Sequence, residues 1–195
     1  MVPFSTRKKF SEVNRLANFD FLANKSEYRA FSKDCIDAEN AFENSFDSCV
    51  KLARSALDAA VKWVYDNDKN FAVQRKKLPA DKKDNLFDLI ANPTFERTVG
   101  KNLLNKLHYC RKAGNAALHN EKEFSEQEAI ICLQNLFEFV QWLDRRYGKN
   151  FTPRSFDAGE IPVKDPTWKK ALKGAGLVAL GVIATLFLSG DKDKH

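Results

Sequence analysis

The chain has 195 residues, long enough for one domain with a full core plus an appendage. Hydrophobic residues make up 44% and charged residues 30%, which excludes a disordered tail as the bulk of the molecule; sixteen phenylalanines against eight glycines favour a packed helical core over strands and turns. A net charge of +6 suits an anionic partner, nucleic acid or membrane surface, without choosing between them.

Residues 1–25 show little periodicity and read as an N-terminal arm, in which Phe19-Asp20-Phe21-Leu22 can dock on the core. The first ten residues are polar and contain no apolar run, so no signal peptide is expected. Over 26–43 the positions Tyr28, Phe31, Cys35, Ala38 and Phe42 recur at helical spacing. A second helix is predicted over about 44–65, with Phe46, Val50, Ala53, Leu57, Ala60, Val61 and Val64 on one side and Asp66-Asn67-Asp68 as its stop. The stretch 67–83 is polar, basic and broken by Pro79, and predicts an exposed loop.

A short helix over 85–91 is ended by Asn92-Pro93. The next runs over about 100–113 with Leu103, Leu104, Leu107 and Cys110 inward, and Gly114 is expected to close it in a left-handed conformation. Ser125-Glu126-Gln127-Glu128 has the form of a capping box, in which serine and glutamate satisfy each other's backbone amides. The helix it opens carries Ala129, Leu133, Leu136, Phe137, Val140 and Leu143 inward and stops at Tyr147-Gly148. Leu57, Leu107, Leu133 and Phe137 are the expected centre of the core. These helices predict an all-α, antiparallel bundle over 26–148, with a linker over 149–167 that contains Pro153, Pro162 and Pro166.

The segment 174–189 contains sixteen residues without a charge, about 24 Å of helix. That is short against a hydrocarbon core of about 30 Å, but Trp168 and the snorkelling Lys169, Lys170 and Lys173 extend it. The expectation is a single C-terminal transmembrane helix over 168–190, with the bundle on the cytoplasmic side where the lysines lie. A buried helix or half of a re-entrant hairpin is the alternative. Ala175 and Ala179, then Gly181 and Thr185, have the spacing that lets two membrane helices approach, one pointer to a homodimer.

The four cysteines, Cys35, Cys49, Cys110 and Cys132, include no Cys-x-x-Cys pair, so free and mostly buried thiols are expected rather than a metal site. No metal or other cofactor is expected. Arg111, Gly114, Asn115 and His119 form the polar junction where chemistry is most expected. His119 could take a 2′-hydroxyl proton, Arg111 could hold a phosphate, and Asn115 could orient either. The same residues admit a structural account. Gly114 would be a C-cap, Asn115 an N-cap, Arg111 a partner of Asp58 on the neighbouring helix together with Arg54, and His119 a hydrogen-bonding residue for the next helix. His108, one turn before Arg111, reads as a helix-surface residue.

Several stretches carry a resemblance. They are Asn18-Phe19-Asp20-Phe21-Leu22, the run 53–65 from Ala53-Arg54-Ser55 to Trp63-Val64-Tyr65, and Asp84-Asn85-Leu86-Phe87-Asp88-Leu89-Ile90. Arg111 through His119, Glu128-Ala129 and the run 136–143 complete the match. Residues 18–147 resemble the helical domain of unknown function found ahead of type I restriction HsdR subunits, a group placed with the HEPN superfamily. The resemblance implies a HEPN-like bundle, a dimer cleft and metal-independent endoribonuclease chemistry on an arginine and a histidine, here Arg111 and His119. Seven residues separate the two, more than in the superfamily motif, so a kink at Gly114 is needed to bring both to one cleft. The expected function is a membrane-anchored bacterial interaction or nucleic-acid-sensing module, at the inner membrane, in anti-phage defence. A HEPN-type ribonuclease effector and a membrane scaffold without a nucleic-acid role are the alternatives. Expected partners are the membrane, RNA or DNA, a second copy of the chain, and another protein of the defence system.

Overall fold

The computed structural model describes residues 17–163, and among them the chain forms seven α-helices and no strand. These are α1 (Ser32–Ala41), α2 (Phe46–Asn67), α3 (Lys69–Lys77), α4 (Leu86–Ile90), α5 (Pro93–Val99), α6 (Lys101–Leu118) and α7 (Glu126–Tyr147). The all-α architecture expected from the periodicity is what forms. Leu57, Leu107, Leu133 and Phe137 are all buried in one continuous core.

The three longest helices set the directions of the bundle. Arg54 meets Asn115 while Lys51 meets Asn120, so α2 and α6 run antiparallel. Lys106 pairs with Glu138, and the Cys110 thiol meets the Cys132 carbonyl, so α6 and α7 do as well. The carboxylate of Asp47 accepts from the Phe124 amide at one end, and that of Asp68 accepts from the Tyr147 hydroxyl at the other, so α2 and α7 run parallel. The Ser125 capping box is present, with Ser125 accepting from the Glu128 amide and Glu128 from the Ser125 amide. All four cysteines are free and buried.

Three local expectations are corrected. The helix over 26–43 is broken, because a 3-10 turn (Ser26–Tyr28) precedes α1 and lets both Tyr28 and Phe31 pack edge-on against Trp63. The predicted loop over 67–83 contains α3. Asp68 caps it by accepting from the Asn70 amide, Phe71 is fully buried beneath it, and Arg75, Lys76 and Lys77 occupy the last turn where the helix dipole favours cations. Asn92-Pro93 ends α4 but also starts α5, as a capping asparagine followed by proline in the first turn.

A clasp closes the bundle on one side. Glu39 is buried on α1, and its carboxylate accepts from the Asn18 amide, the Asn18 side chain and the Phe19 amide. Asn18 also exchanges two hydrogen bonds with the backbone of Asp157, at 2.7 and 2.9 Å. Phe19, Phe21 and Phe156 surround the ring of Phe137, and Ile161 is fully buried. Lys25 joins the buried Asp144 to the carbonyl of Asn150. The segments flanking the bundle are therefore part of its packing.

No helix among the described residues is long and apolar enough to cross a membrane. The transmembrane helix expected over 168–190 lies outside the described residues, as does most of the N-terminal arm.

Candidate functional site

The site starts from a close approach between α2 and α6. Gly114 is not a terminator: α6 continues through it to Leu118, and the described residues with positive φ are Gly100 and Asn120. A Cβ on Gly114 would lie within 3.0 Å of three carbons in the stem of Arg54. A glycine is needed there because another helix lays a side chain across it, which outweighs its low helix propensity. One residue on, the Asn115 side-chain oxygen accepts from Arg54 Nε at 2.6 Å. That bond fixes the guanidinium plane and leaves its two terminal nitrogens as donors. The expected N-cap role of Asn115 is thus replaced by a clamp on Arg54.

Arg111, one turn earlier on α6, lines the same cleft as Arg54, and so does Asp58. The third wall is the approach to α4, where Asp84, Asn85, Leu86 and Phe87 contribute. The cleft encloses about 490 Å³, in the range that holds a small ligand or one unit of a polymer. Asn85 caps α4 by accepting from the amides of Phe87 and Asp88. The guanidinium of Arg111 lies over the Phe87 ring, 4.9 Å from its centre.

Both carboxylates of the cleft have a cation partner outside its lining. Asp58 accepts from Lys62 at 2.7 Å, and Asp84 pairs with Arg75, which also bonds Asp66 and the Lys83 carbonyl. The hydrogen bond and charge of Arg75 hold the Asp84 carboxyl below its ordinary range. The lining thus carries two guanidinium groups and two carboxylates, and each carboxylate has a further cation beside it.

Arg111 and His119 do not share this cleft. With α6 unbroken between them, eight residues carry His119 about 12 Å along the axis from Arg111 and about 80° around it. The kink at Gly114 that a shared cleft would need is absent. His119 is the exposed C-cap of α6; its backbone amide donates to the Asn115 carbonyl, and its imidazole meets no hydrogen-bond partner among the described residues. His108 is half-buried, with its ring 6.2 Å from that of Phe87. Burial, then the charges of Arg111 and Lys112, hold its imidazole below the usual range, so it is neutral near pH 7.

Arg111, Asn115, Arg54, Asp58 and Gly114 were all legible as candidates, and they do gather at one place. Asp84, Asn85 and Phe87 were not singled out. The available signal was the pattern of α4, in which Leu86, Leu89 and Ile90 point inward and leave an aromatic facing out.

Comparison with known proteins adds one match. No curated protein and no solved structure matches the chain. The family model described as Domain of unknown function (DUF4145) matches residues 37–151, more than half of the chain, and every cleft residue falls inside that span. The description states no link to HEPN or HsdR proteins. This chain belongs to the DUF4145 family.

Proposed function

We propose that this chain is a nucleic-acid-binding helical module whose phosphate contact is the cleft of Arg54 and Arg111, held at a membrane by the apolar segment at 168–190. The observation that carries the proposal is the convergence of two guanidinium groups from two helices, one of them fixed by a dedicated glycine and asparagine. A fixed guanidinium loses less freedom on binding a phosphate than a mobile one does, and it can offer two parallel donors. The resemblance of the 111–119 stretch to HEPN-type domains supports a role in bacterial anti-phage defence, with a second copy or another defence protein as partner. The apolar tail and its preceding lysines support an inner-membrane location with the bundle in the cytoplasm.

The test is binding of labelled oligonucleotides to the full-length protein in detergent at two salt concentrations. Arg54→Ala and Arg111→Ala are each expected to weaken binding and to lower the salt slope by about one, since each variant leaves one phosphate unneutralised. Equal affinity in wild type and Arg54→Ala would overturn the proposal. A HEPN-type ribonuclease needs Arg111 and His119 at one cleft, and their separation on α6 favours binding over cleavage. Metal-free cleavage that disappears in His119→Ala would reverse that preference. A membrane-bound protein with no affinity for RNA or DNA would leave the scaffold role.

A further inference from the structure

We infer that Phe87 is the base-reading element of this cleft, so that the ligand presents an unpaired nucleobase to Phe87 while its phosphate lies against Arg54 and Arg111. The inference rests on the phosphate-binding reading above and narrows it to nucleotides whose bases are free to stack.

The position of the ring is the first argument. α4 has only five residues, and Leu86, Leu89 and Ile90 already supply its buried face. Phe87 points away from that face and stays 49% exposed. The other large hydrophobic residues exposed among the described ones are Leu52, Val73 and Leu118, all aliphatic. The one aromatic of that set therefore stands on the wall of the cleft that holds both guanidinium groups.

The second argument is rigidity. The Asn85 cap fixes the backbone under Phe87 at 2.9 Å, the Arg111 guanidinium covers part of the ring, and the His108 ring sits to one side. A platform held in this way loses little freedom when a flat ligand settles on it. Every base has a π-face, so stacking accepts any base, but only when it is unstacked from its own helix. In a duplex the bases are hidden and the phosphates alone remain available, so Phe87 would add nothing to duplex binding.

The experiment uses full-length protein in detergent and four probes: a short single-stranded RNA, the DNA strand of the same sequence, the corresponding DNA duplex, and an abasic DNA strand of equal length. Wild type is expected to prefer the single strands to the duplex and the abasic strand, and the RNA and DNA arms show which sugar is accepted. Phe87→Ala is expected to weaken single-strand binding roughly ten- to a hundredfold while leaving the abasic strand unchanged. Phe87→Trp is expected to retain binding and to show quenched indole fluorescence with the single strands alone. Because the ring is half-exposed, melting temperature provides the check that both variants fold. Unchanged single-strand affinity in Phe87→Ala, or equal wild-type affinity for duplex and single strand, would overturn the base-reading role and leave phosphate binding standing. Failure of wild type to bind any of the four probes would overturn the phosphate reading itself, and this inference with it.

Discussion

The stem of Arg54 lies flat across Gly114, so one helix carries a side chain through a groove that only a glycine in the other leaves open. An alanine there would gain helix propensity of about 1 kcal/mol. It would also collide with a side-chain stem that α2 holds in place, and overpacking of this kind costs about 1–3 kcal/mol. Gly114→Ala is therefore expected to lower stability in denaturant titration, and to weaken anion binding by displacing Arg54. A variant more stable than wild type would show that α2 and α6 can separate freely.

Leu133 and Leu57 sit fully buried on two of the helices that enclose the core. Leu133→Ala or Leu57→Ala is expected to cost roughly 2–5 kcal/mol, read as a shift in denaturation midpoint at constant slope.

His119 is exposed and stands away from the cleft. His119→Ala is expected to leave melting temperature and oligonucleotide affinity unchanged within error. A large loss of affinity would bring α6's C-terminal end into the binding surface.

Glu39 gives a pH signature. Burial raises its pKa above the ordinary value near 4.5, against the lowering effect of the bonds from Asn18 and Phe19. A carboxyl raised on folding binds its proton more tightly in the native state, so its favourable contribution is full below about 4.5 and is lost as pH rises through the folded value. Glu39→Gln does not titrate. The stability of wild type relative to this variant is thus expected to increase as pH falls across that window, measured by parallel denaturant titrations. A difference that stays flat or shrinks would contradict the assignment.

The tail provides a last test. Full-length protein is expected to sediment with membranes and to resist carbonate and high salt, whereas a chain ending at Val163 is expected in the supernatant. Recovery of full-length protein without detergent would remove the membrane tether.

Much of the framework was legible because burial repeats with the helical period over many turns. The long apolar stripes of α2, α6 and α7 needed only that pattern, and Ser125-x-x-Glu128 marked a helix start without any knowledge of the fold. The short α4 was legible by its Asn92-Pro93 stop, whereas α3 and α5 were not. In α3 one buried aromatic, Phe71, anchors a mostly polar turn, and one residue has no period; α5 buries Phe95 and Val99, a single repeat that is too short to stand out. Gly114 misled because its role is set by Arg54, sixty residues earlier in the chain, while local rules see only a glycine near a helix end. The cleft was half-legible: its α2 and α6 residues stood out by type, but Phe87 acquires meaning only beside Arg111.

The exchange of hydrogen bonds between Asn18 and Asp157 spans 139 residues of sequence. Closing so long a loop costs entropy that the packing between its ends must offset, so this pairing is expected to form late in folding. It is also positioned to open first. Amide exchange at Asp157 should outpace that in the middle of α2 and α7, because fastening and release of the clasp need not disturb the helices beneath. A load pulling on the C-terminal tail would meet the buried Ile161 and then these bonds, before the Lys25 bridge to Asn150, so the clasp stands between the tail and the long helices as a mechanical fuse.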